Sequence, residues 1–208
     1  MKILIDNDAV LKLSAFKLLD HAIRLTGGET CETLVLDSAK YYIRRKQDKL
    51  RHKYTASGVE SALKFVEQCS SIEAAPDSIV FSTLNAIENI DPGEAILFAT
   101  AHTDTDACIL TGDKRSLVAV ASNDGAKPTY ASLKSRVVCL ESILIGLIIH
   151  LGFDEVKTQI IAVHDCDTAI RAAFGSGVDA TEIRVLETLR AYQSDLEKKV
   201  GEGWLRSF

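Results

Sequence analysis

The chain has 208 residues, 47% of them hydrophobic and 25% charged, and carries a formal net charge of −5. Such a size and composition suit one well-buried α/β domain with an addition rather than two full domains. The acidic balance excludes a surface coated throughout with cations for nucleic acid, though not a local basic patch.

In chain order, the first apolar run is Lys2–Ile5, which leads into Asp6 and Asp8 within KILIDND. Similar runs follow at Thr33–Leu36, at Ala107–Thr111 and over 136–140. Their short, near-continuous apolar character, without in/out alternation, predicts a central parallel sheet of about four strands with helices on both faces, a three-layer α/β fold. Between the second and third runs lie about 70 residues of mostly helical pattern, broken at Ser57-Gly58 and at Ala75-Pro76-Asp77. This stretch predicts a helical arm, with the run IVF over 79–81 as a candidate extra edge strand. Beyond Glu141 the segments 142–151, 154–163, 167–174 and 180–200 read as helices. The last opens with an N-cap signature, Asp179-Ala-Thr-Glu182, and carries Ile183, Leu186, Leu189 and Leu196 on one face. Residues 1–151 are thus expected to form the main domain and 152–208 a C-terminal helical extension packed on the same core.

Five cysteines, Cys31, Cys69, Cys108, Cys139 and Cys166, are widely spaced, odd in number and never in a CxxC pair. They predict reduced core residues of a cytoplasmic protein. The first residues pass from Met1-Lys2 straight into a strand with two acids, so no export signal is expected. The longest apolar run, ILIGLIIHL over 143–151, falls well short of the ~20 residues that span a bilayer, and no membrane association is predicted.

The chemistry-bearing residues are acidic. In open parallel sheets the functional crevice lies beyond the carboxyl ends of the strands. Asp6 ends the first strand, Asp37 ends the second, and Asp113 follows the third by one glycine in TGDK. Glu94 opens the helix of DPGEAILFATA. Carboxylates arriving from different elements suit a hard cation such as Mg²⁺ or Mn²⁺ and repel one another without it. Each also has a plainer role: Asp91–Glu94 as a capping box with Pro92 at the first helical position, Asp113 as a turn former, Asp37 with Ser38 as an N-cap. Asp6 is the hardest to assign such a role, and Asp104 and Asp106 precede the third strand and belong at the opposite end of the sheet.

Between residues 40 and 53, seven cations, Lys40, Arg44, Arg45, Lys46, Lys49, Arg51 and Lys53, face one acid, Asp48. That segment carries +6 and leaves −11 for the rest. As one helix it has a narrow apolar stripe of Ile43, Leu50 and Tyr54, with cations over most of the remaining circumference. A solvated face and a phosphate-binding face are both open here; Tyr41 and Tyr42 would stack on unpaired bases in the second case. His164-Asp165-Cys166-Asp167 has no partner cluster at zinc spacing and reads as a helix terminus, and the single Trp204 as a side chain packed back on the body, with a partner-binding tail the other option.

Taken in order, ILIDND, DPGEAILFATA, ILTGDKRSL and VVCLESILIGLI resemble the PIN-domain family of metal-dependent ribonucleases, which includes toxins of toxin–antitoxin pairs. The resemblance covers roughly residues 1–151. It implies an endoribonuclease using Mg²⁺ or Mn²⁺, with Asp6, Glu94 and Asp113 as catalytic metal ligands; Asp8, at a position where the family often has Ser or Thr, is expected to be a further metal ligand or to orient one, and Asp37 is the candidate to supply a ligand from just before the following helix. RNA would be held by Arg44, Arg45, Lys46, Lys49, Lys114 and Arg115, and the implied partners are RNA, an antitoxin-like protein or a second copy of the chain. The family's acid early in the helix after the second strand is absent: the region reads Ser38-Ala39-Lys40-Tyr41-Tyr42. That departure leaves open a degenerate module that binds RNA or protein without cutting. A second alternative is a haloacid-dehalogenase-like phosphatase, since ILIDNDAV fits its Asp-x-Asp opening and IVFST, ending at Thr83, imitates its second motif. No closing acidic pair follows Asp113 before Asp124.

Overall fold

A computed structural model describes residues 1–29, 32–72 and 78–208. Cys31 and the Ala75-Pro76-Asp77 break lie outside them. The structure is α/β, built on five parallel strands, β1 (Lys2–Ile5), β2 (Thr33–Leu36), β3 (Ser70–Ile72), β4 (Ala107–Thr111) and β5 (Val137–Cys139), in the order β3-β2-β1-β4-β5. The four strands read from the sequence are present. The fifth is not the IVF run: that run opens a helix, α6 (Ile79–Asn85), because Ser78 sits at its N-cap and accepts from the Phe81 amide at 3.0 Å. The edge strand is the three-residue Ser70–Ile72, which pairs with β2 through Leu36↔Ile72 and its neighbours.

Side chains of each strand alternate between two cores. Ile3, Ile5, Cys108, Leu110 and Val138 face α1 (Asn7–Ala15), α2 (Leu19–Leu25), α5 (Ala56–Gln68), α10 (Leu140–Leu151), α11 (Phe153–Ile160) and α12 (Thr168–Phe174). Leu4, Ile109, Val137 and Cys139 face α7 (Pro92–Thr103), α8 (Lys114–Ser122) and α9 (Lys127–Ser132). The helix α13 (Glu182–Val200) reaches both: Val185 and Leu189 join the first core, Leu196 and Val200 the second. Its exposed side carries Ile183, 71% accessible, where the sequence pattern put Ile183 on the buried face; the helix is capped at Thr181 rather than Asp179.

The stretch between β2 and α7 is a packed layer and not an arm. Val59, Ala62, Phe65 and Val66 of α5 are buried against α1, and a Cβ on Gly58 would come within 2.8 Å of the Ala15 Cα, so the two helices meet backbone to backbone. The cationic segment is two helices, α3 (Ala39–Arg45) and α4 (Gln47–Tyr54), separated at Lys46, whose φ of −106° and ψ of 16° leave the helical region. Its stripe of Ile43, Leu50 and Tyr54 is buried. At the other edge, the Ser135 amide donates to Trp204 O and the Arg206 amide to Val137 O, both at 2.8 Å, laying residues 204–206 along β5. Trp204 is buried and stacks on Tyr130 at 5.2 Å between ring centroids. Cys108, Cys139 and Cys166 are buried free thiols and Cys69 is a half-buried one. Among the described residues no helix is long and apolar enough to cross a membrane.

Candidate active site

The carboxyl ends of β1 and β4, with the first turns of α1, α7, α8 and α12, frame a cleft of about 980 Å³. Among the described residues six acids line it, Asp6, Asp8, Asp91, Glu94, Asp113 and Asp167, against five cations, Lys12, Arg45, Lys46, Lys114 and Arg115.

Asp6 follows β1 directly, its amide bonded to Leu110 O of β4 at 3.0 Å, and its own carbonyl accepts from Val10 as α1 begins. It occupies the N-cap of α1, yet its carboxyl makes no well-formed capping bond, so the side chain is left to the cleft. Glu94 is placed by a capping box: its Oε2 accepts from the Asp91 amide and Asp91 Oδ1 accepts from the Glu94 amide, each at 2.8 Å. Asp113 is the N-cap of α8, with Oδ1 accepting from the Arg115 amide at 2.8 Å and from Ser116 at 3.4 Å. The plainer roles of Glu94 and Asp113 are therefore real, and both residues line the same cleft as Asp6, with Asp113 Oδ2 also 3.5 Å from the Arg115 guanidinium. Helix N-termini favour negative charge, which lets three acids crowd here.

The crowding still shows in their protonation. Burial, with repulsion from Asp8 and lesser repulsion from Asp91 and Asp113, raises Asp6 from an ordinary 3.8 to about 7, only partly opposed by the Asp8 amide. Glu94 rises from 4.5 to about 7, mainly by burial, with Asp113 and Asp91 adding to it and the Asp91 amide opposing. Ionising these two carboxyls thus puts unfavourable charge into the cleft, and their donors are hard oxygens, a combination that fits Mg²⁺ or Mn²⁺. Among the described residues, no three His, Cys, Asp or Glu side chains are already gathered into a ligand set.

Deeper in the cleft sits one cation. Lys12, with its side chain 6% exposed, lies between Asp8 and Asp167, with its Nζ 2.6 Å from Asp167 Oδ2 and in contact with Asp8 Oδ2. The Tyr54 hydroxyl donates to Asp8 Oδ1 at 2.8 Å, and Asp167 caps α12 by accepting from the amides of Ala169 and Ile170 at 2.8 and 3.1 Å. Burial alone would depress the Lys12 ammonium; the two carboxylates outweigh it and hold it above the ordinary lysine value. Asp167 is correspondingly lowered, since Lys12 and the helix amides outweigh its burial.

The rest of the lining is basic and aromatic: Tyr41, Tyr42, Arg45 and Lys46 from α3 and the residue after it, Lys114 and Arg115 from α8, and Tyr192 from α13. Lys114 pairs with Glu141, which is 1% exposed and leaves its Oε2 without a partner, and lies over the Tyr192 ring at 4.8 Å.

Of the residues picked from sequence, Asp6, Asp8, Glu94 and Asp113 share the cleft, as do Arg45, Lys46, Lys114 and Arg115. Asp37 does not: it is exposed just before the α3 N-cap and lines no part of the cleft. Arg44 is turned to Glu67 and Lys49 is exposed elsewhere on α4. Sequence reasoning missed Lys12, Tyr54, Asp91 as a cleft acid, and Asp167. The signal for Lys12 was available: it is the single cation in AVLKLSAF, a run whose every other member is buried. IVFST, which imitates the second motif of the phosphatase alternative, is helical, and Thr83 donates to Ile79 O at 2.8 Å. Compared with protein-family models, curated proteins and solved structures, the chain finds no match.

Proposed function

We propose that the chain is a metal-dependent endoribonuclease of PIN-like type, hydrolysing RNA phosphodiester bonds with Mg²⁺ or Mn²⁺. The observation that carries this is the meeting of Asp6, Glu94 and Asp113 in one cleft at the carboxyl edge of the sheet, with Asp6 and Glu94 pushed to about 7 by burial and repulsion. A divalent cation would offset the charge of such a cluster. Asp6, Glu94 and Asp113 would hold it, with Asp91 adding charge from the neighbouring N-cap. When bound, the ion would supply a Lewis acid and a water made acidic enough to attack a phosphodiester near neutral pH. Arg45, Lys46, Lys114 and Arg115 bind the phosphates on either side of the acids, and Tyr41 and Tyr42 offer ring faces to unpaired bases. The paired carboxylates keep RNA out until the ion offsets them, so substrate and metal bind together.

A second reading is a binding module without cleavage, favoured by the exposed Tyr41 and half-buried Tyr42 standing where the resembled family carries an acid. Incubating the protein with a mixed single-stranded RNA pool, with and without Mn²⁺, separates the two. Mn²⁺-dependent cleavage lost in Asp6→Asn supports the nuclease; metal-independent binding with no cleavage supports the module.

A further inference from the structure

Lys12 is an unusual tenant for an acidic cleft. It enters from the second turn of α1, and long helical side chains lean toward their helix's N-terminus, which brings its ammonium back beside Asp8, one turn earlier and at the cleft's inner end. There it is enclosed. Asp8 and Asp167 hold it from two helices, and the backbone of Gly112 closes in beside it: a Cβ there would lie 2.9 Å from Asp8 Oδ2 and 3.4 Å from Lys12 Nζ. Both Asp8 oxygens are already engaged, Oδ1 by Tyr54 and Oδ2 by Lys12.

The six acids therefore divide into two groups. Asp8 and Asp167 share the buried ammonium of Lys12, while among the described residues Asp6, Asp91, Glu94 and Asp113 have no buried cation, Asp113 meeting only the exposed Arg115 at 3.5 Å. We propose that Lys12 takes the place of a second divalent ion: the cleft binds one Mg²⁺ or Mn²⁺, at Asp6, Glu94 and Asp113, and Asp8 is a partner of the lysine and not a ligand. This rests on the metal-dependent reading above. A second divalent ion at Asp8 would have to displace a nearly inaccessible ammonium from two carboxylates or sit against it, with twice the repulsion of two unit charges.

Calorimetric titration with Mn²⁺ in the absence of RNA tests the division. The wild-type chain is expected to bind one Mn²⁺. Asp6→Asn is expected to weaken that binding by at least about tenfold, as loss of a metal-site partner commonly does, and Asp8→Asn, which removes a neighbouring charge but no ligand, to weaken it much less. Lys12→Met, which frees Asp8 and Asp167, is expected to admit a second Mn²⁺. Two ions on the wild-type chain, or equal losses in Asp8→Asn and Asp6→Asn, would overturn the proposal while leaving the metal-dependent reading standing; a folded wild-type chain that binds no Mn²⁺ sinks both. If Lys12→Met fails to fold, the wild-type stoichiometry and the two aspartate variants decide alone.

Discussion

The Tyr54 hydroxyl donates to Asp8 Oδ1 across 2.8 Å, joining the last residue of the cationic segment to the helix that follows the first strand. Through Asp8 the bond continues to Lys12 and on to Asp167 at the cap of α12, so three separate parts of the chain meet in one polar network beneath the cleft. Tyr54→Phe keeps the buried ring and removes the donor. It is expected to cost about 1.5–3 kcal/mol, the penalty of a lost hydrogen bond to a charged group, measured by urea unfolding. No loss would mean that water replaces the phenol.

Breaking the network at its centre should cost more. Lys12→Met leaves Asp8 and Asp167 close together without their cation, and removal of one member of a buried ion pair typically costs about 3–5 kcal/mol. Adding Asp8→Asn and Asp167→Asn to that variant removes the orphaned charge and is expected to recover most of the loss. Unfolding of the single and triple variants forms the comparison, and additive losses would show that the groups do not interact.

Protonation gives the metal-free chain a stability that falls as pH rises. Asp6 and Glu94 ordinarily titrate near 3.8 and 4.5 but near 7 when folded. Between those values the folded state holds protons that the unfolded state has released, so stability is greatest below about 4 with respect to these two groups and is lost progressively up to about 7. Asp167, lowered by Lys12, works in the opposite sense and weakens the fold only at more acid pH. Thermal melts of the metal-free protein are expected to be lower at pH 8 than at pH 5.5, with Mn²⁺ raising the pH 8 value more. A flat profile would mean that the two carboxyls are not strained.

Asp6→Asn should relieve the same repulsion. In the absence of metal at pH 8 the variant is expected to melt no lower than wild type, because the Asp6 carboxyl makes no well-formed capping bond to lose. The structural alternative predicts a clear drop.

The two halves of the cationic segment should behave differently. Arg45 and Lys46 line the cleft, whereas Arg44 faces Glu67 and Lys49 points elsewhere. Replacing Arg45 and Lys46 by Gln is expected to reduce the slope of log affinity for single-stranded RNA against log salt by about 1.4, for two lost phosphate contacts. The same change at Arg44 and Lys49 should leave the slope alone, and equal effects would argue for diffuse attraction by the whole segment.

Runs of apolar β-branched residues made β1, β2, β4 and β5 legible, and the fold class with them. β3 was not, because Ser70-Ser71-Ile72 has one apolar residue and takes its strand form from pairing with β2. IVF misled because periodicity over three residues cannot tell strand from helix, and Ser78 decided it. The break at Lys46 carries no Gly or Pro to announce it. Within the site, acids at the ends of continuous elements were found by position alone. Asp37 shows the limit of that rule, since the end of a strand fixes where a backbone leads but not which way the next side chain turns. Asp167 was out of reach for a different reason: it arrives through tertiary packing of α12, which no local pattern encodes.

Lys12 and Asp167 are separated by 155 positions. During synthesis the lysine is made 155 positions before its second partner and must stay hydrated, or paired with Asp8 alone, until α12 exists. Burying α1 before then would strand an ammonium in an apolar layer, so the energetics favour late closure of the first core. The cleft is therefore expected to close only once α12 can dock on α1.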